Sequence, residues 1–211
     1  NIPAALRLKG PFDVSRMSAA LDALVARHAP LRSTFIPMDG EPMQWVGEPY
    51  HVDLDLVVNT LSNDSAALRE ALTDFALEPF NLETGPLLRA RLYRLADDEH
   101  ILAVAVHHIV ADGWSIEIAL REVAEAYASN TAQRPALTTQ YIDYALWQRN
   151  LIDDGSLDSQ RHYWLDRLGG ELPMLQLPTD RVRPTVQSFA GGQYHRPIAE
   201  GLRSAIERYC A

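Results

Sequence analysis

The chain has 211 residues, with 19 basic and 28 acidic side chains, so its formal net charge is −9. Hydrophobic residues make up 47% and charged residues 22%, which is typical of a folded globular protein and excludes a disordered or low-complexity chain. The acidic balance argues against a protein that binds the phosphate backbone of nucleic acids. No apolar run is long enough to span a membrane.

Both termini carry information about the setting. The single cysteine, Cys210, allows no disulfide within the chain, which favours a cytoplasmic protein. The N-terminus, Asn1-Ile2-Pro3, has neither a start Met nor the charged segment that opens a signal peptide. We therefore expect this chain to be a piece of a longer protein. Its length is sufficient for one domain, or for one domain and part of another.

Hydrophobic periodicity predicts strands that alternate with helices. Asp13 can cap a first helix that stops before Pro30, and a turn at Asp39-Gly40 joins two strands into a hairpin. The expected strands cover residues 4–9, 31–36, 43–46, 52–57, 87–95, 101–106 and 193–197. The expected helices cover residues 14–29, 64–76, 115–127, 139–152, 158–168 and 200–209, with Ser115 capping the third.

Two segments stand out from this alternation. Residues 101–106 are apolar at every position, which is typical of a central strand that is covered on both faces. Residues 169–192 are rich in proline and glycine, which predicts an extended crossover with few regular elements. The chain is therefore expected to have an α/β fold, with a boundary near residue 170.

The strongest candidate site follows the buried strand, in the sequence HHIVADGWS at residues 107–115. Successive strand residues point to opposite faces, so His107 and His108 cannot both face one cleft. One histidine is a candidate acid or base, and the other a packing or hydrogen-bonding partner, unless the pair occurs by chance. Gly113 offers a backbone N–H at a helix start, where an oxyanion can be stabilised.

Asp112 has two possible partners. It could orient a histidine, or it could pair with a buried arginine and hold the loop in shape, and Arg32 is the candidate for that pair. Arg27 and His28 precede Arg32 in the same segment. Instead of marking a site, these basic residues could simply lie at the C-terminal end of a helix, whose partial negative charge favours positive side chains. A zinc site is disfavoured because adjacent strand histidines diverge and no second cluster supplies further ligands.

Aromatic residues recur at three-residue spacing in the segment YIDYALWQ, at residues 141–148. This spacing predicts a helix whose aromatic stripe faces the core, with substrate contact as the alternative.

Together these segments resemble the condensation domains of nonribosomal peptide synthetases, which belong to the chloramphenicol-acetyltransferase-like superfamily. Residues 107–115 fit the HHxxxDG signature and its Trp-Ser extension. Residues 27–32, RHAPLR, resemble the RHExLR motif, with Ala29 in place of glutamate. Residues 141–147 match the YxDYAxW motif. Several motifs in order are more specific than HHxxxDG alone, which other acyltransferases of the superfamily share.

The resemblance implies a chloramphenicol acetyltransferase-like two-layer sandwich lobe, with a mixed β-sheet packed against helices. Residues 1–170 would form the N-terminal lobe without its first motif, and residues 171–211 the crossover and the start of the C-terminal lobe. In this family two lobes form a V, and carrier proteins dock on opposite sides and reach the HHxxxDG residues through a tunnel. Because the motifs of the second lobe are missing, we expect the chain alone to be inactive.

The resemblance also implies amide formation between a donor acyl or peptidyl thioester and the amine of an acceptor aminoacyl thioester. His108 would be the catalytic residue, as a base or as a positioning group, and Gly113 a contact for the oxyanion. The residues that would support the site are His107, Asp112, Arg32, Trp114 and Ser115. No cofactor or metal would bind directly, because phosphopantetheine arms of carrier proteins hold both substrates. The expected partners are donor and acceptor peptidyl carrier domains, neighbouring synthetase domains and the C-terminal lobe.

Two other functions compete with this one. A free-standing acyltransferase with a CoA-linked or other soluble donor would use the same HHxxxDG residues. A recruitment domain of the same fold would bind a partner enzyme and make no bond, although intact His107, His108 and Asp112 count against it. An epimerase and a heterocyclisation domain fit the sequence less well.

Overall fold

The structure is a computed structural model that describes residues 1–58, 66–129, 134–188, 191–192, 194 and 196–210. Its strands are β1 (Ile2–Lys9), β2 (Ser33–Met38), β3 (Glu41–Val46), β4 (Leu54–Val58), β5 (Leu88–Ala96) and β6 (Glu99–Val106). Its helices are α1 (Val14–Arg27), α2 (Ala66–Leu77), α3 (Gly113–Ser129), α4 (Tyr141–Asp153), α5 (Asp158–Leu168) and α6 (Glu200–Cys210). The chain divides into two compact units, Asn1–Gln160 and Arg161–Ala211.

A four-stranded sheet in the order β1-β6-β5-β4 forms the centre of the first unit. β6 pairs antiparallel with both β1 and β5, whereas β4 pairs parallel with β5, so the sheet is mixed. The prediction that residues 101–106 form a central strand is confirmed, since Leu102 and Ala103 are both at most 2% exposed although they face opposite sides.

Helices cover both faces of this sheet. On one face α1 and α3 pack over a cluster that includes Leu21, Leu24, Leu102 and Val106. On the other face α2 buries Phe75 against a second set of strand residues. The α/β class and the mixed sheet packed against helices are therefore confirmed.

The remaining two strands form the predicted hairpin. β2 and β3 pair antiparallel, and their turn residues Asp39 and Gly40 have φ angles of 53° and 85°. Positive φ at both turn positions is the geometry that suits a two-residue hairpin, and Asp-Gly is a favoured pair for it. The strand expected over residues 31–36 begins two residues later, at Ser33, because Ala29–Arg32 form a short 3-10 helix.

Three local predictions were wrong or remain open. The aromatic stripe of α4 does not face the core: Tyr141 is 62% exposed, Tyr144 44% and Trp147 55%. The expected strand over residues 193–197 includes positions 193 and 195, which lie outside the described residues, and residues 194, 196 and 197 form no strand. The boundary near residue 170 stays a prediction.

Candidate active site

A turn after β6 carries the two histidines towards α3. The His107 N–H donates to the Leu87 carbonyl at 3.0 Å, and the Val110 N–H donates to the His107 carbonyl at 3.1 Å. These two bonds fix the backbone at the point where β6 ends.

His107 packs on the α2 side of the sheet. Its Nδ1 accepts a hydrogen bond from the Ile109 N–H at 3.0 Å, and its ring meets Phe80 edge-on with centroids 6.0 Å apart. Burial lowers the pKa of His107, and the positive charges of the N-terminus and His108 lower it further. A neutral imidazole whose Nδ1 is an acceptor carries its proton on Nε2. His107 therefore holds the loop rather than offering a free base.

His108 lies on the other side of the sheet from its neighbour. It is exposed and lines a cavity of about 840 Å³, on the face that α1 and α3 cover. Both histidines lie beyond the end of β6, and of the two only His108 lines the cavity.

Asp112 has a role that neither interpretation of the sequence foresaw. Its Oδ1 accepts hydrogen bonds from the Ser115 N–H at 2.8 Å and from the Ser115 hydroxyl at 2.6 Å. Its carbonyl accepts from the Ile116 N–H, so Asp112 is the N-cap of α3 and the prediction that Ser115 caps the helix was wrong. The Ser115 hydroxyl, followed by its N–H, holds the pKa of Asp112 below its ordinary value.

The expected pair of Asp112 and Arg32 is not formed. One Arg32 nitrogen, Nη1, instead donates to the Gly47 carbonyl at 2.7 Å, and no ion pair joins Arg32 to Asp112 within residues 1–58 and 66–129. The physical reason is proximity: the first turn of α3 presents unpaired N–H groups directly beside the carboxylate.

Gly113 and Trp114 open the first turn of α3. A Cβ on Gly113 would meet nothing within 4 Å, so packing does not require glycine there. Its N–H belongs to a turn whose backbone donors have no partner inside the helix, as an oxyanion contact would need. Trp114 is 75% exposed. Of the predicted site residues, the structure thus brings His108, Asp112 and Ser115 to one cavity, and Arg32 and His107 contact other groups.

The sequence interpretation missed Glu122, a buried carboxylate on α3 that is 8% exposed. Its oxygens accept from Arg27 Nε at 3.2 Å and His28 Nε2 at 2.8 Å, and lie 3.4 Å from Arg134 Nη1. Burial alone would raise the pKa of Glu122, but the His28 hydrogen bond and the three cationic partners bring it below its ordinary value. The adjacent Arg27 and His28 were the available signal, because basic groups at a buried helix end need an acidic partner.

A second missed residue, Gln140, ties the same motif to α4. Its Oε1 accepts from the Ala29 N–H at 3.0 Å, and its Nε2 donates to the Arg27 carbonyl at 2.9 Å. Gln140 is also the N-cap of α4, where Asp143 completes a capping box. The RHAPLR segment is thus bound to α3 through Glu122 and to α4 through Gln140.

Two kinds of feature are absent from the described ranges. They hold no group of three or more His, Cys, Asp or Glu side chains suited to a metal ion. Nor do these ranges contain a helix with both the length and the apolar character that crossing a bilayer requires.

Comparison with known proteins supplies the family. The condensation domain model matches residues 1–211. A linear gramicidin synthase of Brevibacillus parabrevis is 38% identical over 220 residues, which cover 99% of this chain and 3% of that protein. Bacitracin synthase 3 of Bacillus licheniformis is 40% identical over 191 residues, which cover 90% of this chain and 3% of that protein. The chain thus spans only a small part of these relatives.

Solved structures agree with the sequence matches. The X-domain from teicoplanin biosynthesis has a TM-score of 0.78 and 32% identity, with 89% of this chain and 42% of that chain covered. A condensation domain involved in chain release from the enacyloxin polyketide synthase has a TM-score of 0.68 and 32% identity, with 82% of this chain and 34% of that chain covered. The epimerization domain of tyrocidine synthetase B has a TM-score of 0.68 and 27% identity, with coverages of 86% and 43%. The resemblance that the motifs indicated is confirmed, and the chain belongs to the condensation domain family.

Proposed function

We propose that this chain contributes the first lobe of an amide-forming condensation domain in nonribosomal peptide synthesis. The observation that carries the proposal is the position of His108. It lines a large cavity beside the N-terminus of α3, at the end of a loop that Asp112 and the neighbouring strand hold in place.

The reaction joins an amine to a thioester carbonyl. The amine nitrogen forms a bond to the carbonyl carbon, the carbon–sulfur bond breaks, and the proton lost by nitrogen reaches the departing thiolate. Histidine is the side chain best suited to carry that proton near neutral pH, so His108 acts as the base or positions the amine. Asp112 makes no hydrogen bond to His108 in the part of the chain that the structure describes, and its Oδ1 accepts two hydrogen bonds from Ser115. Asp112 therefore supports His108 indirectly, because it caps the first turn of α3. The Gly113 N–H is the candidate donor to the oxyanion.

The proposed substrates are thioesters on the phosphopantetheine arms of donor and acceptor carrier domains. The second lobe and neighbouring synthetase domains complete the list of proposed partners. The solved domains of this family are longer than this chain, which covers 34–43% of the three compared above. We expect the 211-residue chain alone to form no amide from loaded carriers, and robust turnover would contradict that expectation.

A second function is favoured by one comparison. The X-domain of teicoplanin biosynthesis, whose complex with OxyB is a solved structure, has a TM-score of 0.78 with this chain. A recruitment domain would bind a partner enzyme without forming a bond, and His108 would then have no chemical task. The intact HHxxxDG residues favour catalysis.

The test is His108→Ala in the synthetase that carries this chain, assayed with loaded donor and acceptor carriers. Loss of a general base typically slows a reaction by about 10²–10⁴-fold, and we expect amide formation to fall by that amount. The matched control is His162→Ala, which removes an exposed histidine of α5 and should leave the rate unchanged. An unchanged rate in His108→Ala would refute the catalytic role, and a wild-type synthetase that forms no amide would favour recruitment.

A further inference from the structure

Phe80, in the loop between α2 and β5, contacts the first of the two histidines. Its ring meets the His107 imidazole edge-on, at an interplanar angle of 87° and a centroid distance of 6.0 Å. Phe80 also packs against the buried cluster that α2 covers. The loop is fixed internally, because the Asn81 Oδ1 accepts hydrogen bonds from the N–H groups of Glu83 and Thr84. Phe80 is therefore a fixed neighbour of His107.

Arg89 holds the Phe80 ring from β5. Its guanidinium carbon lies 4.0 Å from the centroid of that ring, which is a cation–π contact. Its Nη2 donates to the carbonyls of Phe75, at 2.9 Å, and of Glu78, and its Nη1 donates to the Pro79 carbonyl at 3.3 Å. The last turn of a helix carries carbonyl groups without a helical partner and a partial negative charge, so it suits an arginine. Arg89 thus ties Phe80 to the C-terminal end of α2.

The orientation of the His107 ring decides a backbone contact of the loop. Its Nδ1 accepts a hydrogen bond from the Ile109 N–H at 3.0 Å, and this bond spans His108. A rotation of the imidazole out of its plane would turn Nδ1 away from that N–H, and a hydrogen bond weakens steeply at angles below about 120°. The contact with Phe80 resists the rotation, because it holds the two rings nearly perpendicular.

We propose that Phe80, anchored by Arg89, is a positioning residue for the reaction at His108. It holds the His107 ring so that the bond to the Ile109 N–H persists, and this bond shapes the turn that carries His108 to the cavity. The link to the reaction rests on the proposed function. The link from Phe80 to the His107 ring rests on the contacts and can be tested without any reaction.

The first test is ¹⁵N NMR of the histidine rings in the 211-residue chain, which reports the tautomer and the pKa of His107. Burial holds this pKa below its ordinary value of 6.5. In the wild type we expect the neutral ring to carry its proton on Nε2 alone. In Phe80→Leu water reaches the ring, so we expect both tautomers and a pKa that moves up towards 6.5. A neutral His107 ring that stays wholly in the Nε2–H form in Phe80→Leu would overturn the proposal.

The charged groups around the His107 and Phe80 rings are unchanged in this variant. They are the amino group of Asn1, His108 in the same loop, Arg89 and Arg91 on β5, and Glu78 after α2. A change in the His107 pKa therefore reports the loss of the Phe80 ring and not a change of charge.

Phe75→Leu is the matched control. Phe75 is 2% exposed in the same cluster, and its ring centroid lies 5.4 Å from the Arg89 guanidinium carbon. Within residues 66–129, however, its ring makes no aromatic contact with His107. The control removes the same atoms and should keep the Nε2–H form, as should Phe80→Tyr, which retains the ring. A tautomer mixture in Phe75→Leu equal to that in Phe80→Leu would overturn the assignment to Phe80.

Circular dichroism shows whether Phe80→Leu is folded. If it is not, Phe80→Met keeps more of the side-chain volume without the ring, because methionine is long and adaptable. It must then give the same tautomer mixture, and a wholly Nε2–H ring would overturn the proposal.

The second test is amide formation by the synthetase that carries this chain, with loaded donor and acceptor carriers. A misplacement of about 1 Å can cost about 10²-fold in rate, so we expect kcat to fall by about 10–100-fold in Phe80→Leu. The KM values for both carriers should be unchanged, because Phe80 lies outside the cavity lining. Phe75→Leu and Phe80→Tyr should keep the wild-type kcat. A wild-type kcat in Phe80→Leu would overturn the role in the reaction.

The two tests separate this proposal from the proposed function. If His108→Ala forms the amide at the wild-type rate, the proposed function fails, and the tautomer of His107 still shows whether Phe80 holds the ring. If His108→Ala is inactive while Phe80→Leu keeps the Nε2–H form and the wild-type kcat, the proposed function stands and the positioning role is refuted.

Discussion

The substitution Glu122→Gln tests whether the buried carboxylate of α3 holds the end of α1 in place. Glutamine keeps the shape of the side chain and removes its negative charge. Arg27 and Arg134, whose side chains are 17% and 31% exposed, would then lose the anion they share, and His28 would lose a charged acceptor at 2.8 Å.

The expected cost follows from the burial of these groups. Removing one partner of a fully buried ion pair costs about 3–5 kcal/mol, because the remaining charge is left without compensation. Arg134 keeps a second partner, Glu125, and Arg27 can recover some water, so we expect a loss of about 2–3 kcal/mol in the free energy of unfolding. For a chain of this size, such a loss lowers Tm by about 4–12 °C.

The assay is urea unfolding at pH 7, followed by circular dichroism and tryptophan fluorescence. The control is Glu117→Gln, at an exposed position of the same helix, which should change the free energy of unfolding by less than about 0.5 kcal/mol. Equal losses in the two variants would refute the assignment of Glu122 as the anchor.

The pH dependence provides an independent check. The pKa of Glu122 lies below its ordinary value of 4.5, so the stabilisation from its charge is complete above that pH. It is lost as the pH falls through the pKa of the folded state. The difference between wild type and Glu122→Gln must therefore shrink on acidification below pH 4.5, and a constant difference would contradict the account.

Three further predictions follow from single contacts. Asp112→Ala removes the cap of α3, so the Ser115 amide hydrogen should exchange faster with solvent, as measured by NMR. In Asp112→Asn, whose side chain can also cap the helix, the same amide should exchange more slowly than in the alanine variant. The Asp22 carboxylate, 2.7 Å from His51 Nδ1, raises the pKa of His51 above 6.5. In an NMR titration, Asp22→Asn should therefore return that pKa towards 6.5, and an unchanged pKa would contradict the pairing. Trp147 is 55% exposed, so Trp147→Ala should change the free energy of unfolding by less than about 0.5 kcal/mol in urea unfolding. A larger loss would show that the aromatic stripe of α4 is buried in solution.

Much of the fold could be predicted because local signals agreed with one another. The all-apolar segment at residues 101–106 is central in the sheet, and Asp13 caps α1 with its carboxylate on the Arg16 N–H. The Asp39-Gly40 turn forms the expected hairpin. In each case the determinant is a short run of residues, such as a hydrophobic period or a turn pair, so it can be recognised without long-range contacts.

The contacts of the candidate site depended on long-range packing and could not be predicted in this way. Arg27 and Glu122 are 95 residues apart, and nothing in their spacing indicates that α1 and α3 bring them together. The partner of Asp112 is the nearby Ser115, whereas the sequence analysis proposed a distant arginine. The prediction for the aromatic stripe of α4 failed for a different reason. Periodicity predicts that a helix has an apolar face, but it does not indicate whether another element covers that face.

Amide formation by the synthetase that carries this chain, compared between wild type and His108→Ala, tests the central claim most directly. The account predicts a loss of about 10²–10⁴-fold in the rate with loaded donor and acceptor carriers, while binding of both carriers is unchanged. A variant that forms the amide at the wild-type rate would contradict it.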